Sequence, residues 1–138
     1  MQVGDKFFLS KGPVTTRQIV MYAGASGDFN PIHYDHFVAV KAGLGGVMAH
    51  GMLSMGFAAQ LIADPISAFG WVKEIRARFV SPVRPGDLIE LNGVVVEVFK
   101  NQYEQCEARI EINASADGRT VLLGAALVAP HAGLSQTL

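Results

Sequence analysis

Residues Gly51–Ala63, GMLSMGFAAQLIA, decide the fold. Ser54 and Gln60 are the only strongly polar side chains in the run, and Asp64-Pro65 follows as a stop signal. The pattern predicts a helix roughly 20 Å long at 1.5 Å per residue. A helix that is apolar on nearly every side is buried over most of its surface. The rest of the chain must therefore wrap around it.

Downstream the period changes from helix to strand. Trp71–Val80, Leu88–Phe99, Tyr103–Ala114 and Val121–Ala129 read as four long strands. Within the third, Cys106, Ala108, Ile110 and Ile112 fall on one face, and Gln105, Glu107, Arg109 and Glu111 on the other. The alternation slips at Gly93, which predicts a β-bulge there. Asp117-Gly118 predicts a tight hairpin.

Upstream, Lys6–Ser10 reads as a short strand ended by Gly12-Pro13. Thr15-Thr16-Arg17-Gln18 reads as a capping box, opening a helix from Thr16 to about Ala25 that buries Ile19, Val20 and Ala23. Pro31 disfavours helix at Asn30, so Asp28–Ile32 is expected to be a loop. Tyr34–Ala42 reads as a short helix ended by Gly43, Gly45 and Gly46. One curved antiparallel sheet wrapped around the long helix satisfies all of this. That is the hot-dog arrangement, of the α+β class, although the pattern alone also permits other α+β sandwiches. With no repeat or linker, residues 1–138 are expected to form a single domain.

Half the 138 residues are apolar, 17% are charged and the net charge is −1. Such a chain is globular, and its lack of a basic run argues against nucleic acid as a partner. The single cysteine, Cys106, rules out a disulfide within the chain and fits a small core residue. There is no hydrophobic leader at MQVGDKFFLSKG, and no apolar run reaches the ~20 residues a bilayer needs. The expectation is a cytoplasmic protein with no membrane partner.

The chemistry concentrates in Tyr22–Gly56. Asp28 and His33 place a carboxylate and an imidazole five residues apart in a turn-rich stretch. Imidazole changes charge near neutral pH and so serves as a general base. The long helix then begins at Gly51, and a helix N-terminus offers free N–H donors and a partial positive charge. An acid–base pair with such donors suits water chemistry beside a carbonyl. Each residue also has a structural reading: Asp28 as a turn cap, His33 as a satisfied histidine, and His36 and His131 as solvated. Gly43, Gly45 and Gly46 lack the spacing of a phosphate-binding fingerprint. Asp35, His33 and His36 match no strong metal pattern.

Ser26-Gly27-Asp28-Phe29-Asn30-Pro31-Ile32-His33 resembles the hydratase motif of the MaoC-like family, the (R)-specific enoyl-CoA hydratases. Ala49-His50-Gly51-Met52-Leu53 resembles a second block of that family, and Arg78–Asp87 a third. The stretch AHGMLSMG is also similar to the catalytic subunits of mycobacterial (3R)-hydroxyacyl-ACP dehydratases. The resemblance covers essentially the whole chain. It implies reversible hydration of a trans-2-enoyl thioester to a (3R)-3-hydroxyacyl thioester, carried on CoA or acyl carrier protein, with no cofactor and no metal.

By the same resemblance Asp28 and His33 hold one water, and the Gly51 N–H receives the thioester oxygen. Asn30, His50 and Met52 are the expected substrate-side residues. Asn30 braces the loop, His50 contacts substrate or satisfies the loop, and Met52 joins the acyl-tunnel wall. Arg76, Arg78 and Arg84 are candidates for the carrier's phosphates, or else solvated. A hot-dog acyl-CoA thioesterase is the alternative enzyme. It is disfavoured because Gly51–Ala63 has no Asp or Glu. A second alternative is a subunit of a heteromeric dehydratase that needs a separate acyl-binding partner. Val121–Ala129 carries no charge and Tyr103–Ala114 no proline, so an unprotected strand edge predicts a homodimer, or a heterodimer with another hot-dog subunit.

Overall fold

In a computed structural model, which describes residues 1–131, five strands form one antiparallel sheet. They are β1 (Lys6–Lys11), β2 (Gly70–Phe79), β3 (Ile89–Lys100), β4 (Cys106–Ala116) and β5 (Arg119–Pro130). Their order is β1-β3-β4-β5-β2. The helices are α1 (Thr16–Ser26), α2 (His36–Lys41) and α3 (Gly51–Ile66), and the long α3 packs on the sheet. This is the hot-dog arrangement. The last seven residues of the expected 1–138 domain lie outside the described residues.

Local chemistry explains most boundaries. Thr15 Oγ1 accepts from Gln18 N–H at 3.1 Å, as the capping motif requires, and Gly27 in the left-handed region ends α1. Ile19 and Ala23 face the core, but Val20 is 55% exposed, contrary to expectation. At the β4–β5 hairpin Asp117 and Gly118 both have positive φ, 50° and 75°, as a tight turn of this hand demands.

Three features of α3 and the sheet depart from the sequence expectation. The helix runs through Pro65 to Ile66 rather than stopping at Ala63. Pro65 lacks an N–H, which costs one bond in the last turn. Burial of Ile66, 1% exposed, keeps that turn wound. Nor is α3 buried all round. Leu53, Phe57, Leu61 and Ile62 face the sheet, while Met52, Gly56 and Ala63 are exposed. Finally, Gly93 pairs regularly with Phe7 and Ile112, and the register shift falls between Val95 and Glu97. A Cβ on Gly93 would lie 3.2 Å from Ile62 and 3.4 Å from Leu61. Gly93 therefore marks a close approach of α3 side chains to the sheet, not a bulge.

Glu107, on the face of β4 opposite Ala108 and Ile110, is 2% exposed. Its carboxylate accepts from Lys73 Nζ at 2.8 Å and Asn101 Nδ2 at 2.7 Å. Lys73 reaches it from the β2 bulge, where the register with β5 shifts between Val72 and Glu74. Burial opposes ionisation, but the bonds from Lys73 and Asn101 outweigh it and hold the carboxyl below its ordinary range. A depressed carboxylate stabilises the fold above its unfolded pKa, and that stabilisation is lost as pH falls through the folded pKa. Glu107→Gln is expected to cost about 1–2 kcal/mol at neutral pH. Thermal melts should show the gap from the parent chain closing below about pH 4. A gap that stays constant down to pH 3 would contradict this account.

Candidate active site

The site is built where the α1–α2 connection meets the start of α3. After α1 ends, Ser26 Oγ accepts from Asp28 N–H at 3.2 Å, and Asp28 Oδ1 accepts from Asn30 N–H at 3.2 Å. Asn30 Oδ1 in turn accepts from Ile32 N–H at 3.2 Å and caps a 3-10 turn, Pro31–His33. The expected loop thus ends in a wound turn, fixed by side chains bonding the backbone two residues on. The Asn30 backbone carbonyl also accepts from His33 N–H at 3.1 Å, so the turn fixes where the His33 main chain sits. The Asn30 side chain is spent on the turn.

His33 is 8% exposed, while the Asp28 side chain is 53% exposed. His33 Nδ1 lies 2.8 Å from the Met48 carbonyl. A carbonyl only accepts, so Nδ1 carries the hydrogen and the neutral ring presents the Nε2 lone pair. Nε2 faces Asp28 Oδ2 at 3.9 Å. That is too long for a direct hydrogen bond. It suits two acceptors sharing one water, because ~2.8 Å from each gives an apex angle of roughly 90°.

His50 is 2% exposed and is the N-terminal flanking residue of α3. Its Nε2 donates to the Asp28 carbonyl at 3.0 Å, and its ring stacks on His33 with centroids 3.7 Å apart and planes at 24°. Nδ1 is buried without a partner among the described residues. His50 thus clamps both members of the pair. This role was not legible in the sequence, because nothing local links positions 28, 33 and 50. Asp28, His33 and His50 offer ligand atoms within 4.8 Å of one another. Near-parallel stacking, however, keeps the two rings from directing in-plane lone pairs at one ion. Asp35 and His36 do not join the group: Asp35 caps α2 through Val38 N–H, and the His36 ring lies beside Gly46.

Gly51 follows His50 and opens α3 with no side-chain cap. The Gly51 and Met52 N–H groups have no acceptor among the described residues. A cavity of about 330 Å³ lies beside them, lined by Met48, Gly51, Ser54, Phe79 and Val83 among others. A Cβ on Gly51 would sit 2.9 Å from the Phe79 ring, so a larger residue would have to push that half-exposed ring aside. Met52 does not line this cavity and is 57% exposed. Ser54, which the sequence marks only as a polar member of an apolar helix, is buried and on the cavity wall.

The three arginines split. Arg76 pairs with Glu74, and Arg84 donates to the Leu44 and Gly46 carbonyls, so Arg84 is not free for a phosphate. Arg78 remains on the exposed β2 edge.

A hot-dog domain with an imidazole and a carboxylate facing across a water-sized gap, beside an uncapped helix N-terminus, has the parts of a hydro-lyase. The comparisons agree. A family profile described as "MaoC like domain" matches residues 2–116. The chain belongs to this MaoC-like dehydratase family and is an enzyme of the hydro-lyase class. It is 30% identical over 129 residues to a protein named 3-hydroxybutyryl-CoA dehydratase from Methylorubrum extorquens, covering 93% of this chain and 80% of that one. It covers only 28% of Protein MaoC of Klebsiella aerogenes, at 32% identity. Among solved structures it resembles the R-hydratase PhaJ1 of Pseudomonas aeruginosa, with TM-score 0.80 and 27% identity over 94% of this chain and 82% of that one. The HadBC (3R-hydroxyacyl-ACP dehydratase) complex from Mycobacterium tuberculosis shares the fold, with TM-score 0.76 and 16% identity over 92% of this chain and 96% of that one.

Proposed function

We propose that this chain reversibly hydrates trans-2-enoyl thioesters to (3R)-3-hydroxyacyl thioesters, carried on CoA or acyl carrier protein. The observation that carries the reading is the 3.9 Å gap between His33 Nε2 and Asp28 Oδ2. A water there donates one hydrogen to each acceptor, which aims its lone pair at the substrate. The hydroxyl adds at C3 as His33 takes the water's proton, and the pair returns a proton to C2. Electron density moves onto the thioester oxygen meanwhile, and the Gly51 N–H receives it. Removing one such donor typically costs roughly 3–4 kcal/mol of barrier. No cofactor or metal takes part in these steps.

The acyl-CoA thioesterase alternative gains little from the longer helix. α3 does contain Asp64, but it is exposed, bonded by Gln60, and ~20 Å along the helix from Gly51. The working form is proposed to be a homodimer, or a heterodimer with another hot-dog subunit. No helix among the described residues is long and apolar enough to cross a membrane. The single cysteine supports a cytoplasmic setting. One assay separates the two enzyme readings. With trans-2-enoyl-CoA, the enoyl absorbance is expected to fall without release of free thiol. Thiol release with the absorbance retained would support the thioesterase instead.

A further inference from the structure

The glycine-rich segment between α2 and α3 has little regular backbone bonding, yet it ends at the carbonyl that sets the state of His33. Gly43, Gly45 and Gly46 all have positive φ. Arg84 ties this segment down from the β2–β3 connection. Its Nη2 donates to the Leu44 carbonyl and its Nη1 to the Gly46 carbonyl at 3.2 Å. Gly46 is buried, so its carbonyl has no ready replacement partner in water. One residue before Arg84, the Val83 carbonyl accepts from Ala49 N–H at 2.8 Å. Residues 44, 46 and 49 are thus held by two consecutive residues of the opposite connection. Met48, whose carbonyl takes the His33 Nδ1 hydrogen at 2.8 Å, lies between these anchors.

The connection that carries Arg84 is itself braced. Asp87 Oδ2 accepts from Arg84 N–H at 2.9 Å and from Arg119 Nη2 at 3.0 Å. Arg119 Nη1 also donates to the Pro82 carbonyl at 2.6 Å. We propose that Arg84 is a positioning residue for the base: it straps the glycine-rich segment so that the Met48 carbonyl holds His33 in the tautomer with its hydrogen on Nδ1. The proposal rests on the reading of His33 as the water-activating base. If the strap loosens, the Met48 carbonyl drifts, and the tautomer with hydrogen on Nε2 gains population. That form has no lone pair facing Asp28 and cannot take a proton from the water. Two carbonyls held by one planar guanidinium is a task for Arg, and Lys reaches only one of them.

The test is ¹⁵N NMR of the His33 ring in the full chain, with steady-state kinetics on trans-2-enoyl-CoA. The parent is expected to show a protonated Nδ1 and an unprotonated Nε2. Arg84→Gln should move both shifts toward averaged values and lower kcat about 10–100-fold, as loss of an outer partner to a working histidine does, with KM little changed. Arg84→Lys should fall between, and it decides the matter if Arg84→Gln does not fold. Arg119→Gln loosens the same connection without touching Leu44 or Gly46. It should lower Tm and move the His33 shifts far less than Arg84→Gln does, because both Arg84 bonds to the segment remain. Unchanged His33 shifts in Arg84→Lys and Arg84→Gln would overturn the proposal, as would equal shifts in Arg119→Gln. The NMR readout needs no turnover, so its outcome is separate from that of the hydratase assignment.

Discussion

Asp28→Asn and His33→Ala are each expected to lower kcat on trans-2-enoyl-CoA by about 10²–10⁴-fold, the usual worth of a positioned acid–base group. The asparagine variant keeps the Oδ1 bond to Asn30 N–H that shapes the turn, so the fold should persist. It replaces one acceptor for the water with a donor or a neutral oxygen, and the water loses its orientation. The alanine variant removes Nε2 outright. It also removes the ring on which His50 stacks, so a modest fall in Tm should accompany the loss of rate. On the proposed mechanism the two groups share one water, so the double variant should be little worse than the poorer single. Steady-state kinetics with circular dichroism as a fold control checks this. Near-parental kcat in both singles would place the chemistry elsewhere.

The second large effect is in mass. Light scattering at micromolar concentration is expected to give about twice the 14.7 kDa chain mass. The edges of the sheet are not the strands expected from the sequence. Val121–Ala129 and Tyr103–Ala114 lie in β5 and β4, inside the sheet, where each is paired on both sides. The real edges are the six-residue β1 and the ten-residue β2. β2 carries Lys73, Glu74, Arg76 and Arg78, charges that guard against indiscriminate pairing. The stronger support is apolar. Phe29 next to Asp28 is 61% exposed, Phe37 is 84% exposed, and Met52 next to Gly51 is 57% exposed. Exposed apolar groups beside Asp28 and Gly51 are what a second subunit would cover. The heterodimer version predicts an inactive chain that gains activity with a second hot-dog subunit. A monodisperse monomer hydrating at full rate contradicts both.

Much of the architecture was legible because its signals are local. The Thr15 cap, the Asp117-Gly118 turn and the period-2 runs each act over a few residues, and each element formed, though β4 begins at Cys106 rather than Tyr103 and α2 spans only His36–Lys41. What failed depended on distant partners. Pro65 reads as a stop, but the buried Ile66 beyond it decides where α3 ends. Gly93 reads as a bulge because its need for space comes from Leu61 and Ile62, more than thirty positions earlier. The burial of Glu107 could not be read because Lys73 and Asn101, its partners, are invisible to alternation. The site divides the same way. The motif brings Asp28, Asn30 and His33 together through its own turn. The stacking of His50 and the Arg84 strap arise only when α3 and the β2–β3 connection close over that turn.

Hydration of trans-2-enoyl-CoA by the purified chain in ¹⁸O-labelled water, with mass and chiral analysis of the product, tests the central claim most directly. The account predicts a (3R)-3-hydroxyacyl-CoA with the label in its C3 hydroxyl, formed by the parent chain and lost in Asp28→Asn. A product that is mainly (3S), or label appearing in a free carboxylate instead, would contradict it.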